Sequence, residues 1–508
     1  MENLQFFAFF FFLSIFIQIS SAFTGPDSIF LSCGSSKSVT VEDRRVFVPD
    51  SHFLPYRDLS GSKVEILDGS DNGLVPVHYK TARIFSHPAS YKFEMKKKGT
   101  HLLRFHFYPF ASGSCDLSRA RFHVVASRKV ILLSDFEVGS GRKMAPSSRG
   151  CGFHMGRSSR MDNSDNKTGV EFVLKEYFIS VDSPELEITF VPADRSSFAF
   201  INAIEVISAS TLIPDIVRSM DSNGINKLSG MSKQEYEVLF RINTGGAKIT
   251  PLNDTMWRNW VPDEDFVNYT ANIGMKKIHF SGPIKYTEYG ASREIAPGSV
   301  YRTARVMKIA KLVDSSVKKN MSWSFSVPSD YNYLVRLHFC DIASMVLNDL
   351  YFDIYLNGKI AYEDFDISTS SNLVLATPYY LDFVTHPDSS GRLVITIAAS
   401  KSSKPSKVNG MLNGLEVMKL NNSAGNLDDE PMTMMMDGSD EGTPHVVLVF
   451  VRMFLTSAAL FSIGFAGYML VVRWRTVSHT SAGWSPLPAS TPESCISLES
   501  SGKTIVQL

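Results

Sequence analysis

Three stretches of the chain occur twice, in the same order, and this repetition limits the available folds more than any other feature. Tyr79-Lys-Thr-Ala-Arg-Ile returns as Tyr301-Arg-Thr-Ala-Arg-Val, and Leu103-Arg-Phe-His-Phe returns as Val335-Arg-Leu-His-Phe. Phe200-Ile-Asn-Ala-Ile-Glu-Val-Ile returns as Met411-Leu-Asn-Gly-Leu-Glu-Val-Met. The offsets are 222, 232 and 211 residues. Drift of this size is expected when loops change length around a preserved framework, so the chain reads as a duplication. The copies cover residues 28–208 and 235–420, joined by a linker over 209–234 that contains Asn223-Gly224 and Ser229-Gly230.

Within each copy the side-chain period is that of strands. Leu103, Phe105 and Phe107 alternate with Arg104 and His106. Phe352, Ile354 and Leu356 alternate likewise, and Asn357-Gly358 then supplies a tight hairpin turn. Leu186-Glu-Ile-Thr-Phe and Leu393-Val-Ile-Thr-Ile are further strands. Short strands separated by Gly, Pro, Asn and Ser over each copy predict an all-β chain with two tandem sandwiches. The composition, 44% apolar and 20% charged, suits large cores. Charges balance at 51 basic and 51 acidic residues, which gives no basis for nucleic-acid binding. Five cysteines are too few for a disulfide-knit scaffold.

The ends set the compartment. Residues 1–22 read as a secretory signal, with seven phenylalanines between Phe6 and Phe16 and small residues up to Ala22, although no basic residue precedes them. Residues 446–472 read as one transmembrane helix, with Arg452 snorkelling at its outer end. Arg473 and Arg475 follow, while the stalk 421–445 holds six acids and no Lys or Arg, so the tail 473–508 is placed inside as a type I topology. Five sequons, at Asn166, Asn253, Asn268, Asn320 and Asn421, all fall on the outer side as glycosylation sites. Four of the cysteines also fall outside, and three pairings are open to them. Cys115 and Cys151, in Gly/Ser-rich stretches, form one candidate pair, and a buried free thiol is an equal reading for Cys340.

Leu31-Ser-Cys-Gly-Ser-Ser, Arg45-Val-Phe-Val-Pro-Asp-Ser, Phe240-Arg-Ile-Asn-Thr-Gly-Gly, Trp257-Arg-Asn-Trp and His338-Phe-Cys-Asp-Ile, together with Tyr79-Lys-Thr-Ala-Arg, span most of residues 30–420. In them the sequence resembles the ectodomains of plant malectin-like receptor kinases of the FERONIA type. The resemblance implies two malectin-like sandwiches at the plasma membrane, facing the cell wall. It also implies three kinds of partner: a secreted peptide of the rapid-alkalinisation-factor type, a lipid-anchored co-receptor or related receptor kinase, and wall polysaccharide. Tyr79 and Tyr301 match an aromatic position of the animal malectin sugar pocket. Phe110 follows the next strand of the first copy, where the second copy has Ala343-Ser344. Tyr79, Phe110 and Tyr301 are therefore the candidate glycan-stacking residues.

Receptors of that group continue into a kinase, whereas residues 473–508 hold no Gly-rich loop, V-A-I-K lysine, H-R-D or D-F-G. No H-E-x-x-H, C-x-x-C or G-x-S-x-G occurs. Asp341 with Asp353, or Asp364 with Asp366, are the only carboxylate pairs worth weighing for a wall-carbohydrate hydrolase, and turn aspartates are the commoner reading. His106 and His338 are read as structural rather than metal-binding. No catalytic residue, cofactor or metal is expected. The expected function is a cell-surface malectin-like receptor or co-receptor without its own kinase. A ligand-sequestering decoy and a truncated version of a full receptor kinase are the alternatives. Added protease should digest residues 23–445 on intact cells and spare the span and tail; an ectodomain protected in sealed cells would overturn the topology.

Overall fold

The computed structural model describes residues 25–67, 75–112, 115–138, 172–221, 224–268, 275–288, 290–308, 320–403 and 407–428. The signal segment and the apolar stretch 446–472 lie outside them, and among the described residues no helix is long and apolar enough to cross a membrane. What is described is predominantly strand, with a few short helical turns.

Each copy has its own outer sheet of four strands. In the first these are Ala89–Glu94, Glu185–Pro192, Arg121–Ala126 and Val130–Glu137, and in the second Asn320–Ser326, Arg392–Ala399, Tyr351–Leu356 and Lys359–Asp366. The inner sheets are not separate. Strand Val173–Val181 of the first copy pairs antiparallel with Tyr236–Asn243 of the second, through Tyr177 opposite Glu237 and Phe178 opposite Tyr236. One thirteen-stranded sheet therefore runs through both copies. Its residues 209–234 are not a free linker. Val217–Asp221 and Gly224–Leu228 form a hairpin that pairs in parallel with Tyr379–Thr385 at the far edge of the second copy.

Alternation along the strands sorts the side chains between the faces of this sheet. Leu103, Phe105, Phe107, Tyr177, Ile204 and Val206 fill the first core. Phe240, Ile242, Val335, Leu337, Leu415 and Val417 fill the second. The opposite face carries Leu102, Phe178, Tyr236, Leu334 and Met418, and these are buried against loop residues such as Leu212, Met256, Trp260 and Ile295. Tyr236 and Val238 lie on one face and Phe240 and Ile242 on the other because the pairing register shifts between Val238 and Phe240. That extra residue is a β-bulge, which turns the strand from the junction into the second core.

The repeated motifs are duplicated bonding patterns. Asn202 Nδ2 donates to the carbonyl of Thr81 at 2.9 Å, and its Oδ1 accepts from Tyr108 N–H at 2.7 Å. Asn413 does the same with Thr303 at 2.9 Å and Cys340 N–H at 2.8 Å. Arg83 is forked onto Asp50 at 2.6 and 2.8 Å, and Arg305 onto Asp263 at 2.6 Å. Each of those carboxylates also accepts an aromatic donor, Tyr91 Oη at 2.8 Å in the first copy and Trp323 Nε1 at 2.9 Å in the second. Buried ions are tolerated in this form because every lone pair is occupied.

On the loop-covered face a row of charges crosses the sheet. Arg45 and Arg104 each lie 2.7 Å from Glu205, and Arg104 lies 3.0 Å from Glu176. Arg241 then joins Glu176 at 2.6 Å to Glu416 at 2.8 Å. Glu176 and Arg241 belong to different copies, so the row is continuous across the junction. On the core side of the junction, Glu237 bridges Lys175 at 2.8 Å and Lys419 at 2.6 Å. Burial raises the Glu237 carboxyl, but these two ammonium groups outweigh it and bring it down to about 2.

Residues 421–428, expected as the start of a stalk, are packed onto the first sandwich, and Leu427 is buried in its core. At the root of this segment sits the buried Glu235. Burial lifts its carboxyl to about 7, against the Ser180 N–H it accepts and with help from Asp182. Between about pH 4.5 and 7 the folded chain thus keeps a proton that the unfolded chain has released, so this group's contribution falls as pH rises through that window. A shift of this size is worth on the order of 3 kcal/mol. Glu235→Gln should flatten the decline in melting temperature between pH 4.5 and 7 and leave the variant the more stable above pH 7. Parallel pH curves for the two proteins would refute the assignment.

Candidate functional site

The most faithfully repeated residues build a buried relay in each copy. In the first, Tyr79 Oη lies 2.8 Å from His106 Nδ1, and His106 Nε2 lies 2.9 Å from Glu205. In the second, Tyr301 Oη lies 3.1 Å from His338 Nδ1, and His338 Nε2 lies 3.1 Å from Glu416. Burial lowers both imidazoles, against the raising effect of the adjacent Glu205 and Glu416, and so favours their neutral form. The tyrosine hydroxyl then donates to Nδ1, and Nε2–H donates to the carboxylate. Burial alone would raise Glu205, but the Arg45 and Arg104 guanidinium groups hold it well below the usual carboxylate range. Burial pushes both tyrosine hydroxyls up. Both ring nitrogens of each histidine are thus engaged, and the arrangement ties the tyrosine to the buried carboxylate.

The copies differ in what lies above the relay. In the second, Tyr301 is covered by the chain before it: 23 residues, 280–302, connect the strands Met275–His279 and Thr303–Lys308. Within that connection Tyr286 meets Tyr301 edge-on at 6.5 Å, and Ile295, Ala296 and Val300 are buried. In the first copy the equivalent connection between Ser62–Ile66 and Thr81–Phe85 has 14 residues, 67–80. There a cavity of about 570 Å³ opens above Tyr79, His106 and Glu205.

Both copies line that cavity. The first supplies Val41, Pro76, Val77, Phe172 and Leu174, and the second supplies the loop with Lys248, Pro251, Leu252 and Trp257. Asp254 organises this loop. Its carboxylate accepts Met256 N–H at 2.7 Å, Arg258 Nε at 3.0 Å and Trp260 Nε1 at 2.9 Å. The Trp257-Arg-Asn-Trp motif then places one tryptophan on each side. Trp257 meets Phe30 edge-on at 5.3 Å and lies 5.9 Å from the Arg45 guanidinium. Trp260 covers His338 at 5.4 Å and lies under Arg241 and Arg258. Trp257 has φ of +53°, a left-handed conformation that is unfavourable for a bulky side chain. Arg104 fastens the loop by donating to the Met256 carbonyl at 3.0 Å.

Sequence analysis singled out Tyr79 but not its setting. Tyr79 lines the cavity, yet it is only 4% exposed, stacked on Phe172 at 5.1 Å and tilted against His78 at 4.2 Å. Phe110 is 2% exposed and belongs to the first core, and Tyr301 is fully buried. None of the three presents an open ring face. His106 and His338 have both ring nitrogens bonded. The carboxylates weighed for hydrolysis have local tasks. Asp366 caps a helical turn through Ser368 and Thr369, Asp341 accepts from Ala343 and Ser344, and Asp353 accepts from Asp364 N–H. Among the described residues no group of three His, Cys, Asp or Glu is placed to hold a metal ion. Of the sequons, Asn253 and Asn268 are exposed, Asn320 and Asn421 are half-buried, and Asn166 lies outside the described residues. Cys33 and Cys340 are buried free thiols; Cys115 is free and half-buried, and its candidate partner Cys151 lies outside the described residues.

Two sandwiches fused through one sheet, with sealed relays and a cavity at their junction, are the features that the comparisons with known proteins can test. The malectin-like domain model matches residues 151–420, and the chain belongs to the malectin-like family. A probable receptor-like protein kinase of Arabidopsis thaliana is 34% identical over 94% of this chain and 53% of its own length. THESEUS 1 of the same plant is 34% identical over 82% of this chain and 45% of its own. The chain thus spans about half the length of these relatives. The ANXUR1 extracellular domain, also from Arabidopsis thaliana, superposes with a TM-score of 0.65 at 28% identity, covering 79% of this chain and 98% of that one. A crystal structure of the plant peptide RALF23 in complex with FER and LLG2 matches with a TM-score of 0.62 at 28% identity, covering 80% and 98%.

Tyr79→Phe and Tyr301→Phe each remove the donor to a buried imidazole nitrogen and should each cost about 1–3 kcal/mol in urea unfolding. Unchanged unfolding midpoints in both would overturn the relay as described.

Proposed function

We propose that this chain is the ligand-recognising part of a plant cell-surface receptor or co-receptor, and that it takes a secreted peptide at the junction between its two copies. The cavity carries this reading. It is walled by both copies, and a strained, half-buried Trp257 stands in its wall. Apolar side chains from both sides suit an anchoring side chain of a peptide, and Glu42, Asp43, Lys80 and Lys248 at the same cavity suit flanking charges of either sign. The FER–RALF23–LLG2 complex supports a peptide ligand and a small co-receptor as the partner classes. Wall polysaccharide is less favoured, because Tyr79, Phe110 and Tyr301 offer no open stacking face. The sequence in hand carries none of the phosphoryl-transfer motifs, so in this reading it binds and does not catalyse. The exposed sequons Asn253 and Asn268 carry N-glycans in the same reading.

Titration of RALF23, alone and with LLG2, against the full chain in detergent micelles tests the proposal. Trp257→Ala should weaken binding by about 2 kcal/mol, roughly thirtyfold in Kd. Leu252→Asp should weaken it comparably, while Leu373→Asp on an exposed loop of the second copy serves as the control. Binding that ignores both cavity variants would move the site elsewhere, and no binding in either form would overturn the peptide reading.

A further inference from the structure

The last described residues do not leave the molecule from the second sandwich, where its final strand Gly414–Leu420 ends. Asn421 first ties back to Glu235, donating N–H to its carbonyl at 3.0 Å. A turn follows, in which Asn422 Oδ1 accepts from Ala424 and Asn426 N–H at 3.0 Å and Gly425 adopts φ of +81°. The chain then lies along Val130–Glu137, the edge strand of the first copy's outer sheet. Asn426 Oδ1 accepts from Ile131 N–H at 3.1 Å, Leu427 N–H donates to the Ile131 carbonyl at 2.9 Å, and Asp428 accepts from Ser134 N–H at 2.9 Å. Leu427 is fully buried in the first core.

One strand connects this contact to the cavity. Tyr177, on Val173–Val181, donates its hydroxyl to the Leu132 carbonyl at 3.2 Å, beside the bonds to Ile131. Three residues earlier on that strand, Leu174 lines the cavity. Between them Glu176 sits in the row of charges, and Ser180 donates to Glu235 at 2.8 Å, next to Asn421. A displacement of Val173–Val181 at the cavity therefore acts on both ends of the segment 421–428.

We infer that residues 421–428 form a clasp that binds the membrane-directed end of the chain to the first sandwich, and that a change at the junction cavity is passed to the exit segment by loosening or tightening this clasp. The coupling rests on the receptor reading, but the clasp does not. The edge strand offers an unpaired backbone row, and the clasp satisfies it by adding one short extended segment. Its bonds are few and lie at the surface apart from Leu427, which places it among the segments that open at low free energy.

Hydrogen exchange on the full chain in detergent micelles, read by peptide mass spectrometry, tests both statements without any ligand. In the wild type the amides of Ile131, Ser134 and Leu427 should be protected. Leu427→Ala, and the milder Asn426→Ala, should speed exchange in 131–134 and 426–428 by about tenfold or more while leaving Tyr333–Phe339 unchanged. Exchange of 426–428 at the free-peptide rate in the wild type would overturn the clasp. Leu174→Trp, which fills the cavity from the connecting strand, should change exchange at 426–428 by threefold or more in either direction. Wild-type exchange in that variant would overturn the coupling. If RALF23 fails to bind while the coupling is present, the receptor reading alone is lost.

Discussion

The rest of the molecule depends on the row of buried charges Arg45–Glu205–Arg104–Glu176–Arg241–Glu416. Taking an isolated carboxylate or guanidinium out of water costs several kcal/mol, and only close, multiply bonded partners offset that cost. Every acid in this row touches two cations or one cation and a histidine, at distances of 2.6–3.1 Å. Such a row does little for net stability, since a well-packed apolar row would serve as well. It does penalise alternatives. A slip of one residue in any of the strands would point a charge into an apolar core, and separation at the junction would leave Glu176 and Arg241 without each other. The row therefore sets the register of strands drawn from both copies and makes the junction a continuation of the sheet.

This explains why the loops of the second copy matter to the first. The loop-covered face has to be sealed over its charges, and the loop around Asp254 does this for both copies, with Arg104 bonded to Met256 and Trp260 against the Arg241 guanidinium. Sealing one side leaves Trp257 as a wall on the other. The cavity is thus a by-product of covering the ion row, and its geometry is held by groups whose displacement would expose or orphan buried charges. A cavity built this way is preorganised, and preorganisation lowers the ordering cost of any binding.

The strand framework was legible in the sequence because alternation and turn chemistry are local. Leu103–Phe107 and Phe352–Leu356 are strands as expected, and Asn357-Gly358 turns a hairpin. Arg104, Glu205 and Glu416 stood in plain view within the repeats. Their roles did not, since Arg104 and Glu205 are 101 residues apart and Arg241 and Glu416 are 175 apart, and periodicity carries no information about such pairings. Asn223-Gly224 carries the same turn signal as Asn357-Gly358, but the strands beside it, Val217–Asp221 and Gly224–Leu228, show no clear alternation in the sequence. Tyr79 stands out by its motif, but the motif does not say how deeply it is covered. It closes a single helical turn, Val77–Tyr79, where no strand period applies, and its ring is covered by Phe172, which is distant in sequence. Phe110 lies just past its strand, where alternation no longer says which way a side chain points.

Duplication also explains which copy kept an opening. Both inherited the tyrosine–histidine–glutamate relay, and in both it is needed to satisfy a carboxylate on the ion row, so neither could lose it cheaply. The space above the relay was free to change. In the second copy a connection nine residues longer folds back over Tyr301, and Trp260 covers His338. In the first copy the connection is nine residues shorter, and the neighbour's loop forms part of the wall of that space. The cavity then belongs to neither sandwich alone. Parts that hold the ion row, Asp254 and Met256 of the neighbour's loop included, are fixed by electrostatics, whereas cavity residues outside the row, such as Val77 and Leu252, answer only to packing. Variation among chains built on this plan should therefore concentrate in residues 67–78 and 248–252, leaving the relay, the turn around Asp254 and the row intact.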